Sequence, residues 1–278
     1  MCGACCKRAP ELELGEAAAL ADMFVLRLML RIYSLPRALG DIVTDLSRAE
    51  ASAEFYETKR LLGQFAAAAW PAKVRRADRV VEYVQYLSLS VLPLDLGSGR
   101  CPMLENAQCS IYARRPLSCR AVPLHYSRPA CAAARDLDAF VATPGFLCSV
   151  GTEAPLVIAA DAIVDPAIRA ARDHALARAQ SDRRWKAAIV TAMKAQQHGL
   201  PSPREVEAKA AAGALTAPML GAWRVAVAAG LLDPAEAERL LAVQGDLIGQ
   251  HLLRPELSAD LAATLAPMQR AYRKALAG

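Results

Sequence analysis

The apolar residues near the start of the chain recur at helical spacing. Four of them are separated by four positions each: Leu20, Phe24, Leu28 and Ile32. This spacing places them on one face of a helix, so we expect a helix over residues 11–35 that ends at Pro36. A second apolar pattern predicts a helix over residues 42–70, which Pro71 closes because proline has no N–H to continue the helical hydrogen bonds.

The pattern changes in residues 86–91, where leucine and serine alternate. Alternation of this kind is typical of a half-buried strand. The glycines in residues 97–99 then predict a turn just before Cys101. Residues 100–150 hold five cysteines and several prolines, which favours loops and short strands, with one helix expected over residues 132–141.

The sequence after residue 150 contains no cysteine and carries repeated signals of helix starts. An oxygen-bearing side chain precedes each helical run, and proline often occupies the first helical position. The four starts are Asp165-Pro166, Ser181-Asp182, Ser202-Pro203 and Asp233-Pro234. We therefore expect a mainly α protein of the α+β class. Its cysteine-rich metal domain, with helices and a few short strands, covers residues 1–150, and a helical domain covers residues 151–278.

The composition is that of a soluble globular chain, with 54% hydrophobic and 22% charged residues. The net charge of +5 is spread along the sequence, so nucleic acid is not expected as a partner. The most apolar early stretch, residues 17–35, is interrupted by charged residues, so no membrane span is expected. The first residues lack the apolar run of a secretory signal, which indicates a cytoplasmic, reducing compartment where thiols stay reduced.

Cysteine is the residue type that calls for a chemical explanation. The chain has eight cysteines in 278 residues, well below the roughly 8–10% of a disulfide-dense mini-scaffold. Cys2 and Cys5 have the knuckle spacing that lets two thiolates approach one ion. Neither cysteine group offers four well-placed thiolates alone, so we expect both groups to meet at one inorganic centre. The candidate metal ligands are Cys2, Cys5, Cys6, Cys101, Cys109, Cys119, Cys131 and Cys148.

Arginines accompany the downstream cysteines. Arg115 and Arg120 lie close to Cys119 in the sequence. Guanidinium groups stay charged and offset the negative charge of several thiolates, so these two arginines are the candidate cofactor-binding residues. Thiolate ligands suit zinc or an iron–sulfur cluster. Zinc ribbons normally have two such cysteine knuckles, and this sequence has one, which slightly favours an iron–sulfur cluster. Zinc and an iron–sulfur cluster both remain candidate cofactors.

These motifs resemble a known family. The matching segments are Cys2-Gly3-Ala4-Cys5-Cys6, Cys101-Pro102-Met103-Leu104, Cys109-Ser110-Ile111-Tyr112, Arg115-Pro116 and Cys119-Arg120. They resemble the cysteine-cluster proteins of the YkgJ type, which are described by a CxxCxxCC motif and by zinc or iron chelation. The family motif opens with one more cysteine, three positions before Cys2, which is a position before Met1. Either the true start lies further upstream, or the site has one ligand fewer and an open position. The resemblance implies a bound metal or iron–sulfur centre within roughly the first 130 residues.

Three functional classes follow from this resemblance and from the residues. The favoured class is a metal-binding or redox module. Flagellin lysine N-methylases are similar in their cysteine motif, which implies a methylase-like enzyme with a pocket beside the centre as an alternative. A zinc-stabilised adaptor whose helical domain binds a protein partner is the third. No catalytic residue is assigned, and the sequence leaves open whether the protein is an enzyme.

Overall fold

The fold is a mixed α and β arrangement, given by a computed structural model. It describes residues 10–42, 44–76, 79–96, 100–106, 108–142, 151–159, 162–196, 199–202, 205 and 214–277. The strands among these residues are β1 (Leu26–Pro36), β2 (Ala68–Arg76), β3 (Arg79–Pro93), β4 (Leu104–Glu105), β5 (Gln108–Cys109), β6 (Ile158–Ala159), β7 (Ala162–Ile163) and β8 (Ala214–Pro218).

Helices are found in both halves of the chain, and most of the longer ones lie after residue 150. In the described residues they are α1 (Leu14–Ala18), α2 (Arg48–Phe65), α3 (Leu117–Arg120), α4 (Ala133–Val141), α5 (Pro166–Ser181), α6 (Arg183–Ala195), α7 (Leu220–Ala228), α8 (Pro234–Leu252) and α9 (Ala259–Leu276). No described helix combines the length and the apolar character needed to cross a bilayer.

A four-stranded antiparallel sheet organises the fold, with strand order β2-β3-β1-β8. The central pair β1 and β3 is in register from Leu26 opposite Pro93 to Pro36 opposite Tyr83. On the far side, β8 pairs with β1 through residues 214–218. Since β8 comes from the second half of the chain, the sheet is built from both sides of the boundary expected at residue 150.

The helix expected over residues 11–35 is wrong in most of its length. Only Leu14–Ala18 is helical there, and Leu26–Pro36 forms β1. Leu28 and Ile32 are four positions apart, which is also two periods of a strand, so the spacing fits both structures. The strand signal is the two-residue period of the buried Leu26, Leu28 and Leu30, which alternate with Arg27, Met29 and Arg31.

The second expected helix is shorter than residues 42–70. It is α2, which ends at Phe65. A capping box formed by the N-cap residue Ser47 and by Glu50 in the first turn stabilises its start. Pro71 lies inside β2, which is tolerated because β2 is an edge strand. The strand predicted over residues 86–91 is confirmed within β3, and the helix predicted over residues 132–141 is confirmed as α4.

The helix starts of the second half are mostly as predicted. Asp165 and Asp233 each accept hydrogen bonds from first-turn N–H groups and place a proline at the start of α5 and α8. Asp182 makes no cap for α6. Its carboxylate instead accepts the N–H of Gly15, at 2.9 Å, in the first turn of α1. The sequence predicts a local cap at Asp182, but its carboxylate binds a helix 167 residues away.

Helices cover both faces of the sheet. The larger core lies between one face, with Leu28, Leu30 and Leu89, and helices α6 to α9, which contribute Trp223 and Tyr272. A second apolar cluster covers the other face beneath α2 and α5. The main core therefore combines residues from before and after residue 150.

The first described residues of the chain are inserted into this core. Leu12 pairs with Val91 through two backbone hydrogen bonds of 2.8 and 2.7 Å. Glu13 meets Lys186 of α6, whose Nζ donates to Oε2 at 2.8 Å, and both side chains are almost fully buried. The hydroxyl of Tyr126 donates to the other oxygen of Glu13. Burial raises the pKa of Glu13, and the charge and hydrogen bond of Lys186 oppose that shift.

We expect Lys186→Met to destabilise the fold strongly, because the change leaves the Glu13 carboxylate buried without its cation. Breaking one side of a buried pair typically costs about 3–5 kcal/mol. The double variant Glu13→Gln with Lys186→Met removes both charges and should recover part of that loss. Urea unfolding of the two variants and the parent measures both effects. A double variant no more stable than the single one would contradict this account.

Candidate metal centre

Cys101 and Cys109 lie at the two ends of a small hairpin formed by β4 and β5. Cys109 pairs with Leu104 across the hairpin, and the N–H of Leu104 donates to the carbonyl oxygen of Cys101 at 3.0 Å. Both cysteines are half-buried. Burial raises the pKa of the Cys101 thiol, the N–H of Met103 lowers it, and the charge of Cys109 raises it. The hairpin therefore places both cysteines next to Leu104.

Cys119 lies on α3, and α3 is docked against the first helix. The carboxylate of Glu16 in α1 accepts the N–H of Leu117 at 2.8 Å. Arg114, which precedes α3, donates from Nη2 to the carbonyl oxygen of Ala19 at 3.2 Å. These two bonds join the segment that carries Cys119 to the start of the described chain.

The two candidate cofactor-binding arginines make contacts within their own segment. Arg120 donates from Nε to the carbonyl oxygen of Arg115 at 2.9 Å and from Nη2 to that of Ala113 at 3.1 Å. The guanidinium of Arg115 lies 3.7 Å from the centre of the Tyr112 ring. Arg120 thus braces the chain between Cys109 and Cys119, and a cofactor contact of either arginine stays a prediction.

Cys131 has different surroundings from Cys101 and Cys109. The carboxylate of Glu57 accepts the N–H of Ala130 at 2.8 Å and that of Cys131 at 3.3 Å. Burial, Glu57 and Glu54 together raise the pKa of the Cys131 thiol to about 11. Neighbouring carboxylates disfavour the thiolate form that binds metals.

The remaining candidate ligands, Cys2, Cys5, Cys6 and Cys148, lie outside the described residues. Within the described ranges, no group of three His, Cys, Asp or Glu side chains could hold a metal ion. The described structure therefore does not bring Cys101, Cys109 and Cys119 together as three ligands of one ion.

The sequence does not predict a partly buried polar network around Glu11. Glu11 accepts the hydroxyl of Ser90 at 2.8 Å and pairs with Arg31 at 3.4 Å. His125 is within electrostatic range of Glu11 and Arg31, and burial lowers its pKa. The alternation of Glu and Leu in residues 11–14 was the available signal, since it indicates an extended segment with one buried face.

The enzyme alternative requires a pocket beside the cysteines. A cavity of about 410 Å³ is lined by residues of α8 and α9 and by Leu253. Its described lining contains none of the motif cysteines. This cavity therefore gives no support to a substrate pocket at the cysteine centre.

Comparisons of the chain with protein-family models, curated proteins and solved structures found no match. The resemblance to the cysteine-cluster family thus depends on its motif residues.

We expect the Cys131 thiol to react slowly with iodoacetamide at pH 8 although it is exposed. Only the thiolate reacts, and with a pKa of about 11 the rate should keep rising as the pH approaches that value. Glu57→Gln removes the nearest negative charge, so it should lower the pKa and speed the reaction at pH 8. Peptide mass spectrometry measures the rate at this cysteine. Equal rates in the variant and the parent would refute the role given to Glu57.

Proposed function

We propose that this chain is a metal-binding cysteine-cluster protein that holds an iron–sulfur cluster or zinc. The proposed thiolate ligands are Cys2, Cys5, Cys6, Cys101, Cys109 and Cys119. The observation that carries the proposal is the docking of α1 against α3 through Glu16 and Leu117. This contact brings the chain that follows the first cysteine group to the segment that carries the second.

Chain direction also supports the proposal. The bridge between Leu12 and Val91 is antiparallel, so the residues just before Leu12 run toward the end of β3. The chain leaves β3 at Pro93 and continues to Cys101. Cys6 is four residues from Pro10, and four extended residues span at most about 14 Å. The chain that follows the first cysteine group thus runs beside β3, the strand that precedes the second group in the sequence.

The chemistry of the donors favours soft metals. Several thiolates at one site suit zinc or an iron–sulfur cluster and exclude magnesium and calcium as preferred ions. The raised pKa of Cys101 belongs to the metal-free thiol, and a bound metal displaces that proton. Metal binding should therefore release protons and weaken as the pH falls.

Anaerobic purification followed by metal and sulfide analysis and a visible spectrum tests the proposal. Iron with sulfide and a brown colour would identify a cluster, and stoichiometric zinc in a colourless protein would identify the zinc form. Cys109→Ser should lose the metal because it removes one of two neighbouring thiolates. Cys131→Ser is the matched control and should retain it, because that thiol lies beside Glu57.

Two results would overturn the proposal. One is a parent protein that holds neither iron nor zinc after anaerobic purification. The other is a Cys109→Ser variant with the same metal content as the parent.

A further inference from the structure

The helices α8 and α9 enclose a surface groove that is lined by two glycines. The helices run antiparallel, since Gly245 lies against Tyr272 and Gly249 lies against Gln269. A Cβ atom at position 249 would lie 2.6 Å from Nε2 of Gln269, so any larger residue would displace that amide. The two glycines line a cavity of about 410 Å³, which we call the α8–α9 groove.

An exposed leucine lies at one end of the α8–α9 groove. Leu253 directly follows α8 and contributes to the lining. Its side chain is 85% exposed, more than any other large apolar side chain among the described residues. Gly245, Gly249 and Leu253 are four positions apart, so they form one of the ridges by which helices pack against each other. This surface therefore carries an apolar knob at one end and a glycine-lined cavity at the other.

A twofold axis would bring the knob of one copy to the cavity of a second copy. Closed homodimers use the same patch on both copies, so that residue i contacts residue j and j contacts i. When two copies of α8 cross in antiparallel directions near Gly249, Leu253 of each copy lies over Gly245 of the other. Both leucine side chains are then removed from water, which favours association.

The charges at the two ends of the groove have the signs that this arrangement needs. Asp246 and Arg273 lie at the glycine end. Arg254 and Glu256 follow α8 at the leucine end. All four side chains are exposed, and no ion pair joins any of them to another described residue. The twofold arrangement places Asp246 opposite Arg254 of the second copy, and Arg273 on the side of Glu256 of the second copy.

We propose that the α8–α9 groove is the interface of a twofold homodimer, in which Leu253 of each copy fills the groove of the other. A second copy is the occupant that fits, because one surface supplies both the knob and the cavity, and because its opposite charges exchange ends under the twofold axis. This inference does not depend on the proposed metal-binding function, since none of the motif cysteines lines the groove.

Sedimentation velocity of the full chain tests the proposal over about 1–200 µM protein, a range that covers weak and moderately tight dimers. The average mass of the parent should rise from monomer to dimer with concentration. Leu253→Ala should raise the dissociation constant by about 100-fold, because each dimer loses two buried leucine side chains. Leu156→Ala is the matched control and should dimerise like the parent, since Leu156 is also a well-exposed leucine but lies outside the groove.

Charge variants test the orientation of the two copies. Asp246→Lys should weaken the dimer by about 10-fold, because it places a lysine opposite Arg254 of the second copy. Arg254→Glu should weaken it similarly, because two carboxylates then face each other. The double variant exchanges the two signs, so it should restore a dissociation constant close to that of the parent.

Three results would overturn the inference. One is a parent that stays monomeric over the whole concentration range. Another is a dimer whose dissociation constant is the same in Leu253→Ala as in the parent. The third is a pair of weakened charge variants with no recovery in the double variant. Circular dichroism checks the fold of each variant, and if Leu253→Ala is unfolded, the charge exchange decides.

Discussion

The fold depends on the insertion of its first described residues between the four-stranded sheet and the helices from the second half of the chain. Leu12 and Leu14 are completely buried there, and Glu13 enters the same core as a charged group. Such burial is tolerated because Lys186 and Tyr126 supply both a counter-charge and hydrogen bonds. Once this segment is fixed, α1 is fixed, and α1 in turn holds α3 and the segment that carries Cys119.

Much of the secondary structure could be predicted from the sequence, but the topology could not. Asp165 and Asp233 mark real helix starts because capping is a local interaction. The spacing of Leu28 and Ile32 gives a wrong helix prediction, because residues four apart lie on one face of a helix and also on one face of a strand. The strand β8 has only five residues and is defined by its pairing with β1, a long-range contact that no local pattern contains.

The sequence names the candidate cysteines but does not indicate how the fold distributes them. Sequence spacing treats Cys131 like Cys109, yet one thiol lies beside Glu57 and the other lies near Cys101. The contacts of Glu13 and Glu16 could not be predicted, because in the sequence both look like ordinary surface glutamates. The two side chains are buried only because α1 packs together with β3 and α6.

The same contacts change what a metal would contribute to this fold. In small zinc domains the metal brings distant ligands together, so its binding energy becomes folding energy. Here Glu13 with Lys186 and Glu16 with Leu117 already join segments from opposite parts of the sequence through protein contacts. A centre placed there would add stability to an assembled frame, and because the main core combines residues from before and after residue 150, that stability would extend beyond the cysteine-bearing segment.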